Sequence, residues 1–279
     1  MAHIESLLSK LEQWKDLDRL SGPLAAKVEA AVSPKCVRNL LSGKALGHPL
    51  HPALVAVPIG AWGTAAVLDV CGYDDAADAA VATGLLGAVP TAAAGLHDWS
   101  FTMGAERRVG LVHAAANSAA TLLYAVSLVS RRAGHRGLGR CLSFAGFGLV
   151  SAAGFLGGHL SYAQGVGVSR AGWREPAEQW VDVGHLDDYD DGAPTVVEVD
   201  GEPVMVLRDG DEILALHNTC THLGGPLAEG ELRDGCVVCP WHGSEFDLRT
   251  GAVLAGPASV RQPRYEAEVS DGHVRLRAA

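Results

Sequence analysis

Two short stretches carry residues whose types and spacing do chemistry: Cys220-Thr221-His222-Leu223-Gly224-Gly225 and Cys239-Pro240-Trp241-His242-Gly243-Ser244. Each offers one thiolate and one imidazole, as C-x-H, a gap of sixteen residues, then C-x-x-H. Two thiolates and two imidazoles suit a two-iron, two-sulfide cluster in which sulfur holds one iron and ring nitrogen the other. The neutral imidazoles make such a cluster easier to reduce than an all-cysteine one. The same four groups suit tetrahedral zinc. Zinc fingers, however, pair Cys with Cys and His with His, whereas each stretch here supplies one of each and ends in Gly-Gly or Gly-Ser, which lets two loops approach a compact cofactor. The expected chemistry is single-electron transfer. Cys236, in Cys-Val-Val-Cys, reads as a strand residue near the site and not as a ligand.

From about Trp180 to the C-terminus the chain resembles the Rieske ferredoxin-like family. The resemblance implies a [2Fe–2S] cluster with Cys220 and Cys239 on one iron and His222 and His242 on the other. Gly224, Gly225, Trp241, Gly243 and Ser244 then form its surroundings, and Gly256-Pro257-Ala258 its shielding proline loop. Two departures from the respiratory-complex branch stand out. Gly225 and Trp241 occupy the positions of a disulfide-forming pair, and Phe246 that of a tyrosine that hydrogen-bonds a cysteine sulfur. Fewer hydrogen bonds to sulfur imply a potential near the bottom of the Rieske range of about −150 to +300 mV, as in ferredoxins that feed oxygenases. The Ser244 hydroxyl remains to tune a bridging sulfide. No mononuclear-iron domain follows the cluster motif, so the expectation is an electron-transfer protein or oxidoreductase component without a complete oxygenase site.

The elements that must position this site read as an all-β domain over 180–279. Thr195–Val199, Pro203–Leu207 and Glu212–Leu216 alternate like strands, and Asp200-Gly201, Asp209-Gly210 and Asp271-Gly272 supply hairpin turns. The preceding residues are of another kind. Apolar stretches at about Pro52–Cys71, Ala76–Leu96, Val109–Ser130 and Cys141–Tyr162 approach the twenty residues that cross a bilayer, contain no Lys or Arg, and are rich in Gly and Ala. The expected fold is multidomain: an all-α transmembrane four-helix bundle over 45–168, then a linker over 169–179 marked by Gly172 and Pro176, then the β domain. Residues 1–44 form an N-terminal helical segment. Within it Ile4, Leu7, Leu8, Leu11, Trp14, Leu17 and Leu20 fall at helical spacing, an amphipathic helix and not a secretory signal. It would lie on the membrane, meet a partner, or cover the chain's own membrane domain.

Lys10, Lys15, Arg19, Lys27, Lys35, Arg38 and Lys44 precede the first span, and Arg107 and Arg108 lie between the second and third. By the positive-inside rule these place both termini, and the Rieske domain, in the cytoplasm of a multi-pass cell-membrane protein. Arg131, Arg132 and Arg136 break the pattern.

With four alternating spans His48, His51, His97, Asp98, His113 and His159 fall on one membrane face, the one from which the Rieske domain emerges. Ionisable groups at that depth are functional suspects. A pair of the histidines would ligate one b-type haem, three or four with Asp98 a non-haem metal, or one would hydrogen-bond a quinone; alternatively they only cap helix ends. Gly47-His48-Pro49-Leu50-His51-Pro52, with Val57-Pro58-Ile59-Gly60, Asp69 and the later Gly157-Gly158-His159-Leu160-Ser161-Tyr162, resembles a family of four-helix bacterial membrane proteins. That resemblance implies a membrane domain over roughly 40–170 but no activity.

Net charge is −10, and from Glu175 onward 21 acidic residues face 7 basic ones. An acidic electron carrier is steered to a soluble redox partner with a basic docking face, and the absence of a basic aromatic patch excludes nucleic acid. The functional expectation is a membrane-anchored carrier of single electrons between that partner and a membrane site, whether haem, quinone or a membrane oxidoreductase. The alternative is a redox sensor or assembly module that uses the cluster as a switch.

Overall fold

The computed structural model describes residues 2–172 and 178–279; Pro176, one of the linker marks, lies outside them. Contacts divide the chain into two units. One comprises Met1–Pro34 and Pro49–Val166, the other Lys35–His48 and Gly167–Ala279. The N-terminal stretch 1–44 is therefore shared between them.

In the helical unit α1 (Ala2–Gln13) and α2 (Asp18–Val32) precede four long helices: α4 (Leu50–Cys71), α5 (Asp74–Ser100), α6 (Gly104–Arg132) and α7 (Arg136–Tyr162). All four are long and apolar enough to cross a membrane. Large apolar side chains point outward, among them Val70, Leu86 and Val129, each more than two-thirds exposed. Polar ones (Asp69, Thr91, Ser127, Arg131, Ser143) point inward. That inversion of the soluble pattern is what lipid-facing helices require. The amphipathic helix expected over residues 4–20 is instead two helices joined by a 3₁₀ turn at Lys15–Leu17. The break at Trp14 frees the Glu12 carbonyl to accept from Arg108, whose guanidinium also grips the Asp18 carboxylate at 2.7 and 2.8 Å. Helices α1 and α2 pack on α5 and α6, so this segment covers the chain's own membrane domain.

The four long helices are two copies of one hairpin, displaced by 62 residues. Residues 74–100 of α5 correspond to 136–162 of α7, and α4 and α6 each run into a left-handed glycine, Gly72 and Gly134. Buried positions repeat at the same displacement: Trp62 and Tyr124, Ala65 and Ser127, Asp69 and Arg131, Val81 and Ser143. Equivalent residues meet each other. Trp62 and Tyr124 stack with centroids 4.2 Å apart and planes 8° apart. Asp69 and Arg131, both with fully buried side chains, form a two-point ion pair at 2.5 and 2.7 Å. Around them Asp74 pairs with Arg140 and Asp78 with Arg136. Because position 74 corresponds to 136 and 78 to 140, these contacts are reciprocal, the signature of a two-fold axis. The first hairpin contributes the acids and the second the bases, which ties the two into one bundle. Of the arginines that break the positive-inside pattern, Arg131 and Arg136 thus have partners inside the bundle.

Among the described residues of the other unit ten strands form two antiparallel sheets. The six-stranded sheet has the order β1-β10-β9-β4-β3-β2 and the four-stranded one β5-β6-β7-β8. The strands are β1 (Val181–His185), β2 (Thr195–Val199), β3 (Glu202–Asp209), β4 (Glu212–His217), β5 (Glu231–Arg233), β6 (Cys236–Val238), β7 (Glu245–Asp247), β8 (Val253–Ala255), β9 (Arg264–Ser270) and β10 (His273–Ala278). The sequence-read strands fall within β2, β3 and β4. The β2–β3 and β9–β10 turns place Asp200-Gly201 and Asp271-Gly272 at positive φ, as a right-twisted two-residue hairpin demands. One core, with Met205, Leu216, Leu227, Val237, Phe246 and Leu248, sits beneath the Cys220 and Cys239 loops. Helix α3 (Lys35–Leu41) docks on this unit: Lys35 bridges to Glu245 at 2.7 Å, Asn39 accepts from Gly256 N at 2.9 Å, and Lys44 donates to Leu254 O at 3.0 Å.

Removing one member of the buried ion pair leaves an uncompensated charge. Asp69→Asn is expected to cost roughly 3–5 kcal/mol, read as a lowered thermal midpoint in detergent. The exchange Asp69→Arg with Arg131→Asp is expected to recover most of it, since the two positions are equivalent about the axis.

Candidate metal centre

The two motifs form matching loops. The first follows β4 and the second joins β6 to β7. In each the cysteine N–H donates to a carbonyl five residues on (Cys220 to Gly225 and Cys239 to Ser244, both 2.8 Å), and the glycine four residues on donates back to the cysteine carbonyl at 3.0 Å. Gly224 and Gly243 close the loops at φ of 88° and 68°, a region that side chains other than glycine rarely adopt.

The four groups segregate by element. Cys220 and Cys239 are buried, their side chains close enough that each shifts the other's ionisation. The rings of His222 and His242 lie at the less buried side, with centroids 5.1 Å apart and planes perpendicular. Two imidazole nitrogens about 2.0–2.1 Å from one tetrahedral ion would put ring centroids roughly 5 Å apart. Among the described residues, no group of three or more His, Cys, Asp or Glu surrounds a single ion position. Backbone N–H groups of His222 and Leu223 point at the Cys220 sulfur, and those of Trp241 and His242 at Cys239. Cys239 is pushed down to about 7, first by the Cys220 thiol that donates to it and then by those N–H groups. Cys220 is pushed up by the same shared proton and by burial.

The remaining surroundings hold the loops. Gly225 is the cradle: a Cβ there would stand 2.7 Å from the Cys239 sulfur and 3.0 Å from the Trp241 ring. The buried Ser244 hydroxyl accepts from Ala258 N at 3.0 Å and so ties the Pro257 loop to the second motif. Trp241 is half exposed, its ring 6.3 Å from that of His242. Phe246 is fully buried and offers sulfur no hydroxyl. Cys236 starts β6, its thiol turned to Arg233 O at 3.0 Å.

Sequence reasoning missed Gln262. It is fully buried, accepts from Thr221 N at 3.1 Å, and donates to the carbonyls of His217 and Thr219 at 2.5 and 2.7 Å, fixing the root of the first loop. No local pattern marks a glutamine forty residues downstream. A polar residue between the proline loop and the last hairpin was the one available signal.

Residues 179–266 match the Rieske [2Fe-2S] domain, and residues 47–170 match a predicted membrane protein family (DUF2231). The chain is 35% identical over 98 residues to the anthranilate 1,2-dioxygenase ferredoxin subunit of Burkholderia cepacia, spanning 35% of this chain and 91% of that one. This chain belongs to the Rieske [2Fe–2S] family. It is also 40% identical over 59 residues to the cytochrome bc1 complex Rieske iron-sulfur subunit of Streptomyces lividans, covering 21% of this chain and 35% of that protein. Among solved structures, the ferredoxin of carbazole 1,9a-dioxygenase from Nocardioides aromaticivorans IC177 is 36% identical over 36% of this chain and 97% of its own, with a TM-score of 0.34. The Rieske domain thus implies an electron-transferring [2Fe–2S] cluster, joined in one chain to a membrane domain.

The histidines of the helical unit do not gather into one site. His51 and His113 meet, with centroids 6.4 Å apart. His97 pairs with Asp98 at 3.1 Å, and His159 with Glu12 of α1 at 2.8 Å. His48 falls in the segment Lys35–His48 of the other unit. A non-haem metal held by three or four of them with Asp98 is not formed among the described residues.

Gly225→Ala is expected to expel the cluster. The added carbon meets the Cys239 sulfur, and overpacking of this kind costs about 1–3 kcal/mol. Iron per chain and the visible cluster absorption should fall sharply while the far-ultraviolet dichroism stays unchanged.

Proposed function

We propose that Cys220 and Cys239 bind one iron and His222 and His242 the other iron of a [2Fe–2S] cluster, and that the protein carries single electrons between a soluble partner and a site in the membrane. The observation that carries this reading is the segregation of the four groups, sulfur buried and imidazole nearer the surface. When bound, the cluster supplies a reversible one-electron couple. The chain's own residues do the rest. The N–H groups aimed at the two cysteines stabilise thiolate, the core beneath the loops keeps water from the sulfur side, and the two imidazoles leave an edge through which a partner is reached. The lack of a hydroxyl at Phe246 supports a low potential.

The soluble partner has a basic face, because this domain is strongly acidic. The Rieske domain faces the cytoplasm. The basic residues ahead of the first span support this, and two of the three arginines that argued otherwise, Arg131 and Arg136, are engaged in ion pairs within the bundle. On the membrane side the acceptor or donor is a haem, a quinone or a membrane oxidoreductase.

The test is low-temperature electron paramagnetic resonance (EPR) of the dithionite-reduced protein in detergent. A Rieske signal is expected. Cys220→Ser should abolish it, and His242→Cys should move the site toward all-thiolate ligation and lower its potential. Retention of the native signal and potential in both variants contradicts the ligand assignment. Reduction by a flavin reductase with a basic docking face is expected to slow as salt rises, as screening weakens steering; a salt-independent rate contradicts the proposed partner chemistry.

A further inference from the structure

The two-fold arrangement of the helical unit brings equivalent residues together on its axis, and toward one end that residue is histidine in both hairpins. His51 of α4 and His113 of α6 stand 6.4 Å apart between ring centroids, with planes 85° apart. Each ring is held in the same way. Nδ1 of His51 lies 2.9 Å from Thr91 O, and Nδ1 of His113 lies 2.8 Å from Ala153 O, carbonyls that are themselves equivalent in α5 and α7. A backbone carbonyl only accepts, so in both rings Nδ1 bears the proton and Nε2 the unshared pair. This tautomer, with its carbonyl partner, is the arrangement that orients imidazole toward a metal. Asn117 leaves the pair on His113 available. Its amide nitrogen is 3.2 Å from Nε2 and 3.5 Å from Nδ1, hence over the ring face, and it donates to His113 O at 2.9 Å.

Glycine lies against both rings. A Cβ at Gly95 would stand 2.8 Å from His51 Nδ1, and one at Gly157 3.0 Å from His113 Cε1. Neither glycine has the left-handed φ that would demand one, and glycine weakens a helix. What the two positions have in common is the space they leave for an imidazole.

The spacing of the rings decides what they can hold. Two imidazoles on opposite sides of one ion, with nitrogens about 2.0–2.1 Å from it, have centroids roughly 6 Å apart, whereas a tetrahedral ion draws them to roughly 5 Å. The 6.4 Å found here matches the opposed spacing, against 5.1 Å for His222 and His242. No third His, Cys, Asp or Glu among the described residues completes a site. A metal held by two opposed imidazoles alone must bring its equatorial donors with it, and an iron tetrapyrrole does so.

We propose that His51 and His113 are the axial ligands of one b-type haem on the two-fold axis of the helical unit. This deepens the membrane-site reading above and rests on it. The test uses the full-length protein purified in detergent from cells supplied with a haem precursor, with haem per chain, reduced optical bands and the Rieske EPR signal read on one sample. The expected result is about one low-spin haem per chain, lost at least about tenfold in His51→Ala and in His113→Ala, with the Rieske signal intact. His97→Ala and His159→Ala should keep the haem. Because an alanine variant could fail by misfolding, His51→Gly with added imidazole is included, and recovery of the optical bands is expected. A Rieske signal without haem in the native chain, even after titration with hemin, overturns the haem site alone. Haem lost in His97→Ala or His159→Ala but kept in His51→Ala and His113→Ala also overturns it. Absence of the Rieske signal from the native chain overturns the carrier reading instead.

Discussion

The cluster loops obey one constraint: sulfur must be kept dry and held by N–H groups, while nitrogen must stay close to a partner. Two loops of matching hydrogen-bond pattern satisfy it by placing their cysteines against a closed apolar core and their histidines on the outer side. Much of the β unit serves that division. Phe246 and Leu227 seal the sulfur side, Ser244 ties down the proline loop, and Gln262 spans from the last loop to the root of the first. Gly225 is small because the sulfur of Cys239 occupies the space a side chain would need.

The helical unit solves a comparable problem in lipid, where a buried charge has no water to answer it. Its axis runs from the His51–His113 pair through the stacked Trp62 and Tyr124 to the Asp69–Arg131 pair. Eighteen residues separate His51 from Asp69 on α4, about 27 Å at the helical rise and close to the thickness of a hydrocarbon core. Polar groups thus sit toward the two ends of the axis and aromatic surface lies between them. A single acid-to-base substitution relates the hairpins at position 69, and crosswise pairs repeat the theme at 74, 78, 136 and 140. Two copies of one hairpin become complementary in this way.

Much of this was legible in the sequence. The ligand types and spacing, the Asp-Gly turns and the four apolar stretches each rest on local pattern, and the structure shows the strands, turns and long helices where those patterns lie. What escaped was non-local. The duplication is hidden because the residues that define it changed character: Asp69 against Arg131, Trp62 against Tyr124, Val81 against Ser143. Only His51 with His113, His97 with His159, Ala53 with Ala115, Val67 with Val129 and a few glycines keep their identity. The break at Trp14 depends on Arg108, ninety residues away from Asp18, and no window of sequence contains both. Span alternation groups the five histidines, but which of them meet is again non-local: among them it is His51 and His113 whose rings come together.

The central claim is that two cysteines and two histidines of these loops hold a single two-iron cluster. Pulsed EPR on reduced protein grown with nitrogen-15 histidine tests it most directly. Two strongly coupled histidine nitrogens are expected in the native chain, with that pattern broken by substitution of either His222 or His242 and unaffected by substitution of His51 or His113. A reduced cluster with no strongly coupled histidine nitrogen, or couplings that survive loss of both His222 and His242, would contradict the account.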